Sequence, residues 1–413
     1  MTHINFKRYI LNFITILLSF LLALIIANFI LIKISNQKMF PRSLAGSLPN
    51  VLLTFYPDTY KSENLNNYVA ILGDSYTQGG GDAYLNNEYD YSFGHHLHKG
   101  VGKNYLNFGR AGFGSISAVS NLIKVNELAN LPNLIKDLKK PESIIFFFYE
   151  GNDLEDNIIE HNTLIKSDED LKNFVTRRIN ENIKINKIEK INNTFPILIF
   201  IKKIFGHINN LFEKIFAADD MSEIKSLIVK RIEKLFGKTV ILNKEKKNYT
   251  TFVNSPKNHE KIKNIRPLQS AAGNLSNKEI IISLNIFFES IKYVKSWSKN
   301  EKILIAYIPS PITSYVWSEP ISYEDRNKQN GTMNQKIKET TNEKNYKKSI
   351  FIRSKINEFT KKNNINFIDF TDLVINKAEN NLLHGPLDWR HFNYLGYKNT
   401  SDYLSIILKK SKK

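Results

Sequence analysis

Two short stretches far apart in the chain carry residue types that can do acyl-transfer chemistry together. AILGDSYTQGGGDAY, residues 70–84, places Ser75 directly after an apolar run. GPLDWRHFNYLGY, residues 385–397, places Asp388 and His391 three positions apart. In a loop or a first helical turn, that spacing lets a carboxylate accept the imidazole Nδ1–H while Nε2 faces outward. This is the orienting geometry that a nucleophilic serine needs. Gly-Asp-Ser also makes an ordinary turn, so the reading depends on what else converges there.

The elements that would position these residues are legible as short apolar runs at 68–72, 105–108, 143–149, 303–308 and 365–370. Their composition reads as buried parallel strands. Helical patterns lie between them. One starts near Ser115 and runs towards Lys139; another opens with Ser276 and Glu279 in capping-box spacing. A third covers roughly 346–362, and a last one follows HFNYLGY. This alternation predicts a doubly wound α/β sheet with right-handed crossovers. In such sheets ligands bind beyond the carboxyl ends of the strands. The first three runs end in Gly73-Asp74-Ser75, Gly109-Arg110-Ala111-Gly112 and Glu150-Gly151-Asn152-Asp153, so three polar strand ends meet at one crevice.

Together the blocks GDSY, NFGRAG, EGND and DWRH, in this order, resemble the SGNH (GDSL-type) hydrolase superfamily. The match covers about 68–153 and 303–408. It implies a flavodoxin-like three-layer sandwich with a central parallel sheet of about five strands. It also implies Ser75 as nucleophile, His391 as general base and acid, and Asp388 as the orienting acid. The amides of Ser75 and Gly112 and the side chain of Asn152 would form the oxyanion hole. Two departures stand out: Tyr76 replaces the common Leu of the first block, and Glu150-Gly151 replaces the usual Gly-x of the third. Ser75 lacks a glycine two residues on, so this is not the G-x-S-x-G elbow.

The uncharged apolar run at 9–32 exceeds the ~20 residues that cross a hydrocarbon core and reads as an uncleaved signal anchor. Lys7 and Arg8 precede it, whereas Lys33, Lys38 and Arg42 follow it, so the charge count does not favour the usual orientation. Long domains translocate largely regardless of charge, and the bulk of the chain is placed outside the cytoplasm. The expected division is an anchor over 1–40, a linker over 41–66 and a hydrolase-like domain over 67–413. That domain is interrupted by a mostly helical insertion at about 155–275, either a lid or a membrane-facing part. A polar segment at about 319–345 reads as a loop.

The net charge of +18 comes from lysines scattered through the whole chain, and no nucleic-acid partner is expected. No cysteine is present to build a disulfide framework or a thiolate metal site. Gly79-Gly80-Gly81 lacks a following Gly-Lys-Ser/Thr, which excludes a Walker loop and leaves a flexible turn beside the site. His95, His96 and His98 fit a helix ending, without a matching carboxylate pair for a metal. No cofactor and no metal are expected. His384 either contacts substrate or makes a structural hydrogen bond. Trp389 and Arg390 line the site, and Arg110 faces either an anion or a surface carboxylate.

The expected activity is serine-dependent removal of O-acyl groups, chiefly acetyl, from an acylated cell-envelope carbohydrate. The chain would be a single-pass membrane protein with its catalytic domain in the periplasm or outside the cell. Three alternatives stay open: an O-acetyltransferase using the same acyl-enzyme, a lipid esterase, and a non-catalytic glycan-binding module.

Overall fold

The computed structural model describes residues 2–35, 67–86, 88–129, 138–186, 265–299, 302–329 and 332–410, with a few isolated positions between them. The chain divides into two compact units. One comprises 1–57, 132–134 and 185–240; the other comprises 58–131, 135–184 and 241–413.

In the first unit, α1 spans Thr2–Ser35. Its stretch Asn12–Ile32, with a mean hydropathy of 2.8, is long and apolar enough to cross a bilayer. Most of that stretch is exposed, but Asn28 is buried, and its Oδ1 accepts the Ile197 N–H at 3.2 Å.

The second unit is α/β. In chain order its elements are β1 (Val69–Leu72), α2 (Ser75–Gln78), α3 (Asp82–Leu85), α4 (Phe93–Val101), β2 (Tyr105–Asn107), α5 (Ser115–Ala129) and β3 (Ser143–Tyr149). There follow α6 (Asp153–Leu164), α7 (Leu171–Ile183), α8 (Asn277–Ser298), β4 (Ile303–Ile308), α9 (Pro311–Ser314), β5 (Ile321–Gln329) and β6 (Thr332–Thr340). The chain closes with α10 (Asn342–Lys362), β7 (Asn366–Asp369), α11 (Thr371–Ala378) and α12 (Tyr394–Lys410).

Five strands form one parallel sheet in the order β2-β1-β3-β4-β7. The order reverses beside β1, and the crevice that accepts ligands in such sheets opens there, beyond the carboxyl ends. β3 and β4 sit centrally and are buried almost throughout, which is why SIIFFFY and ILIAYI are continuous apolar runs. Alternate residues feed two cores. Phe147 stacks on Phe93 of α4 with centroids 4.0 Å apart, whereas Phe146 and Phe148 meet Phe287 of α8 on the opposite face.

The helix that opens at Ser115 is described as far as Ala129, and the rest of its expected run, 130–137, lies outside the described residues; the Asn126 side chain donates to the carbonyls of Leu138 and Lys139. The segment read as a loop is the antiparallel hairpin β5–β6. Ile321 and Tyr323 point into the core, and Leu268 extends the pairing through its backbone bonds to Ser322 and Glu324. Of the expected insertion, α6 and α7 pack with α5 and α8 inside the α/β unit, Asn157 donating to Ser115 Oγ and to the Ser283 carbonyl. Most of 187–264 lies outside the described residues.

Candidate active site

β1 delivers the chain into the one-turn helix α2, with Ser75 as its first residue. Asp74 caps that turn: Oδ1 accepts the Tyr76 N–H at 2.9 Å, and Oδ2 lies 3.3 Å from Ser75 Oγ. Asp74 is fully buried, and burial pushes its carboxyl above the ordinary range despite the opposing pull of His391 and the Tyr76 amide. Ser75 is part-exposed at the head of the turn.

The loop between α11 and α12 brings the other residues over the same strand end. His391 Nε2 lies 2.7 Å from Ser75 Oγ, and His391 Nδ1 lies 2.6 Å from Asp388 Oδ2. The remaining Asp388 oxygen accepts the Arg390 N–H at 2.9 Å. An ionised carboxylate only accepts, so Nδ1 carries the proton and Nε2 accepts from the serine hydroxyl. Burial alone would raise the Asp388 carboxyl. The His391 hydrogen bond and charge and the Arg390 amide outweigh it, and the net direction is below the usual carboxylate range.

The loop is held at several points. Asp82 accepts the amides of Leu387 at 3.0 Å and Asp388 at 2.7 Å. Tyr315 Oη accepts the amides of Leu383 at 2.8 Å and His384 at 3.2 Å. Tyr149 Oη donates to the Arg390 carbonyl at 3.3 Å, and the Arg390 guanidinium pairs with Glu324 of β5. Trp389 turns its ring onto Gly385 and lies edge-on to Trp317.

His384 makes structural bonds. It is fully buried, with Nδ1 3.2 Å from Tyr315 Oη and Nε2 3.0 Å from Tyr76 Oη. Tyr315 Oη already accepts two amides and so donates to Nδ1, leaving Nε2–H to donate to Tyr76. Burial pushes the His384 imidazole down to about 3. Tyr76 therefore lays a phenol between this histidine and His391, whose ring is 5.1 Å away.

The second strand end is stapled to the first. Asn107 donates to the Thr77 carbonyl, Arg110 N–H donates to the Gly73 carbonyl at 3.3 Å, and Ala111 N–H donates to Gln78 Oε1 at 2.8 Å. Gly112 sits exposed in the turn closed by the Phe113-to-Arg110 bond, with φ of 76°, as the third place of a type II turn demands. The Arg110 guanidinium folds back onto the Asn107 and Gly109 carbonyls, and burial lowers it to about 10.

At the third strand end, Asn152 is buried, and its side chain hydrogen-bonds Asp74, the residue before the serine. An amide carries two N–H hydrogens, and this bond uses one of them. Its Oδ1 has no hydrogen-bond partner among the described residues. Glu150 points away from the site: Tyr307, Ser310 N–H and Thr313 all donate to its carboxylate, tying β3 to the end of β4. A Cβ at Gly151 would strike the Tyr149 ring within 2.5 Å.

Gly80 and Gly81 press against the histidine loop rather than forming the loose turn expected. Gly81 has φ of 122°, and a Cβ there would lie 2.2 Å from the Phe392 carbonyl oxygen. On α4, His95 bonds Ser92, His98 bonds the Lys103 carbonyl, and His96 packs edge-on to Tyr394.

The structure thus joins Ser75, His391 and Asp388 in one chain of hydrogen bonds, reaches Asn152 through Asp74, and fixes the Gly112 turn to α2. Asp82, Tyr149 and Glu324 support the site without any motif that marks them in the sequence, and Asn107 does so from within the NFGRAG block. No family model matches the chain, and no curated protein matches it.

Proposed function

We propose that this chain is a membrane-anchored, SGNH-type serine esterase that removes O-acyl groups, chiefly acetyl, from a carbohydrate of the cell envelope. The observation that carries the proposal is the Ser75–His391–Asp388 chain, with both imidazole nitrogens engaged in the required order. The strand order supports the finer description as a flavodoxin-like three-layer sandwich, with Ser75 at the switch point. α1 supports a single-pass anchor, and the α/β unit is assigned to the periplasm or cell exterior because long domains translocate largely regardless of charge.

In this reading Ser75 Oγ attacks the ester carbonyl carbon as His391 Nε2 takes its proton. The tetrahedral intermediate collapses, the carbon–oxygen bond to the sugar breaks, and His391 returns that proton to the leaving hydroxyl. Water then attacks the acyl-serine, giving one proton to His391; carboxylic acid departs and the proton returns to Ser75. Asp388 holds the imidazole tautomer and stabilises the imidazolium. The amides of Ser75 and Gly112 and the Asn152 side chain donate to the oxyanion, each such donor being worth on the order of 100-fold in rate.

The test is acetate release from an O-acetylated polysaccharide by the full chain in detergent, with Ser75→Ala as control. Release that requires Ser75 supports the esterase. Acetyl transfer to an added glycan faster than hydrolysis makes the chain an O-acetyltransferase, and saturable glycan binding without turnover overturns the enzyme reading.

A further inference from the structure

We infer that Asp82 is a positioning residue for the Asp388–His391 pair. The inference rests on the triad reading above and names a residue outside the matched blocks. Asp82 opens α3, immediately after the glycines that press on His391, and it is 6% exposed. One oxygen accepts the Asp388 N–H at 2.7 Å and the other accepts the Leu387 N–H at 3.0 Å. Two consecutive amides bound to one carboxylate fix the peptide plane leading into Asp388, and with it the direction in which Oδ2 meets His391.

A mere loop tie needs one neutral acceptor. A buried carboxylate is stable only where hydrogen bonds replace the water it has lost. Burial raises the Asp82 carboxyl most, its two amide bonds oppose that, and the Asp388 charge pushes it up again. The two carboxylates therefore sense each other, and the arrangement lines up Asp82, the Asp388 backbone, the Asp388 carboxylate, His391 and Ser75. The segment 79–82 thus contacts the base directly and holds the acid by its main chain.

The substitution Asp82→Asn separates the roles, because an amide offers one acceptor oxygen and sets its NH2 against the second N–H. Full-length wild type, Asp82→Asn and Asp82→Ala would be compared in detergent. The readouts are melting temperature, kcat and KM for p-nitrophenyl acetate, and the low-field proton resonance of His391 Nδ1–H, assigned by its loss in His391→Gln. The expected result is a folded Asp82→Asn with kcat lowered roughly 10- to 100-fold and KM within about twofold. The Nδ1–H resonance should shift or broaden. An unchanged resonance with unchanged kcat overturns the inference. So does failure of both variants to fold, which makes Asp82 a stability residue. The resonance needs no turnover, so a wild type inactive on every ester would sink the esterase reading while the spectra still decide the role of Asp82.

Discussion

Gly80 packs tightly beside His391: a Cβ there would stand 3.1 Å from the imidazole Cδ2 and 3.2 Å from Nε2. The Gly80 N–H also donates to the Ser75 carbonyl at 2.8 Å, so one residue touches both nucleophile and base. Gly80 is not among the residues with positive φ, and alanine is permitted by its backbone. Gly80→Ala should therefore fold normally and lose roughly tenfold or more in kcat as the imidazole is displaced by a few tenths of an ångström. Gly81→Ala should differ in kind, because positive φ and the Phe392 carbonyl forbid it, and thermal melting should fall by several degrees. Wild-type turnover in Gly80→Ala would mean that the base has slack.

Asn152→Ala should lower kcat about 100-fold while leaving KM nearly unchanged, since the second Nδ2 hydrogen is used mainly in the transition state. Steady-state kinetics on one ester suffice to check it. An effect confined to KM would assign Asn152 to substrate binding instead.

Glu150→Gly should destabilise the protein. It strips acceptors from Tyr307, Ser310 N–H and Thr313, all buried. Unsatisfied buried donors cost about 1–3 kcal/mol each, so a loss of at least about 2 kcal/mol is expected in denaturant unfolding. Neutral behaviour would show that water or repacking replaces the carboxylate.

Acid should weaken the fold before the carboxylates titrate. Burial pushes His96 down to about 4 and His384 to about 3, whereas an unfolded histidine titrates near 6.5. Between about 6.5 and 4 the unfolded chain binds protons that the native imidazoles refuse, so stability falls as pH falls through that window. Above 6.5 the contribution is fully present. Asp74 and Asp82, raised mainly by burial, act with the opposite sign, and comparison of one variant with wild type removes them. His96→Phe, which keeps an aromatic edge against Tyr394, should flatten the dependence of melting temperature on pH over 6.5 to 4. An unchanged slope would mean that His96 is hydrated and protonated in the fold.

Much of this architecture was legible because the sheet is parallel and buried. SIIFFFY and ILIAYI are apolar on both faces, and SIIFFFY ends where the polar EGND block begins, so strand and site announce each other. Ser276 and Glu279 marked the start of α8 by their reciprocal cap, which the structure contains. The hairpin was missed because polarity outweighed a local signal: Asn330-Gly331, a typical two-residue hairpin dipeptide, separates β5 from β6. Glu324, which holds Arg390 of the histidine loop, was hidden with it. Asp82 and Tyr149 were illegible for another reason. Their roles depend on residues more than 200 positions away in the chain, and no local spacing encodes that meeting.

The most direct test is covalent labelling of the full-length chain in detergent with a fluorophosphonate probe, beside Ser75→Ala and His391→Ala. The expected result is stoichiometric phosphonylation of Ser75 in the wild type, abolished in Ser75→Ala and strongly slowed in His391→Ala. A folded wild type that takes no label, or one labelled at Ser75 equally fast without His391, would contradict an activated serine.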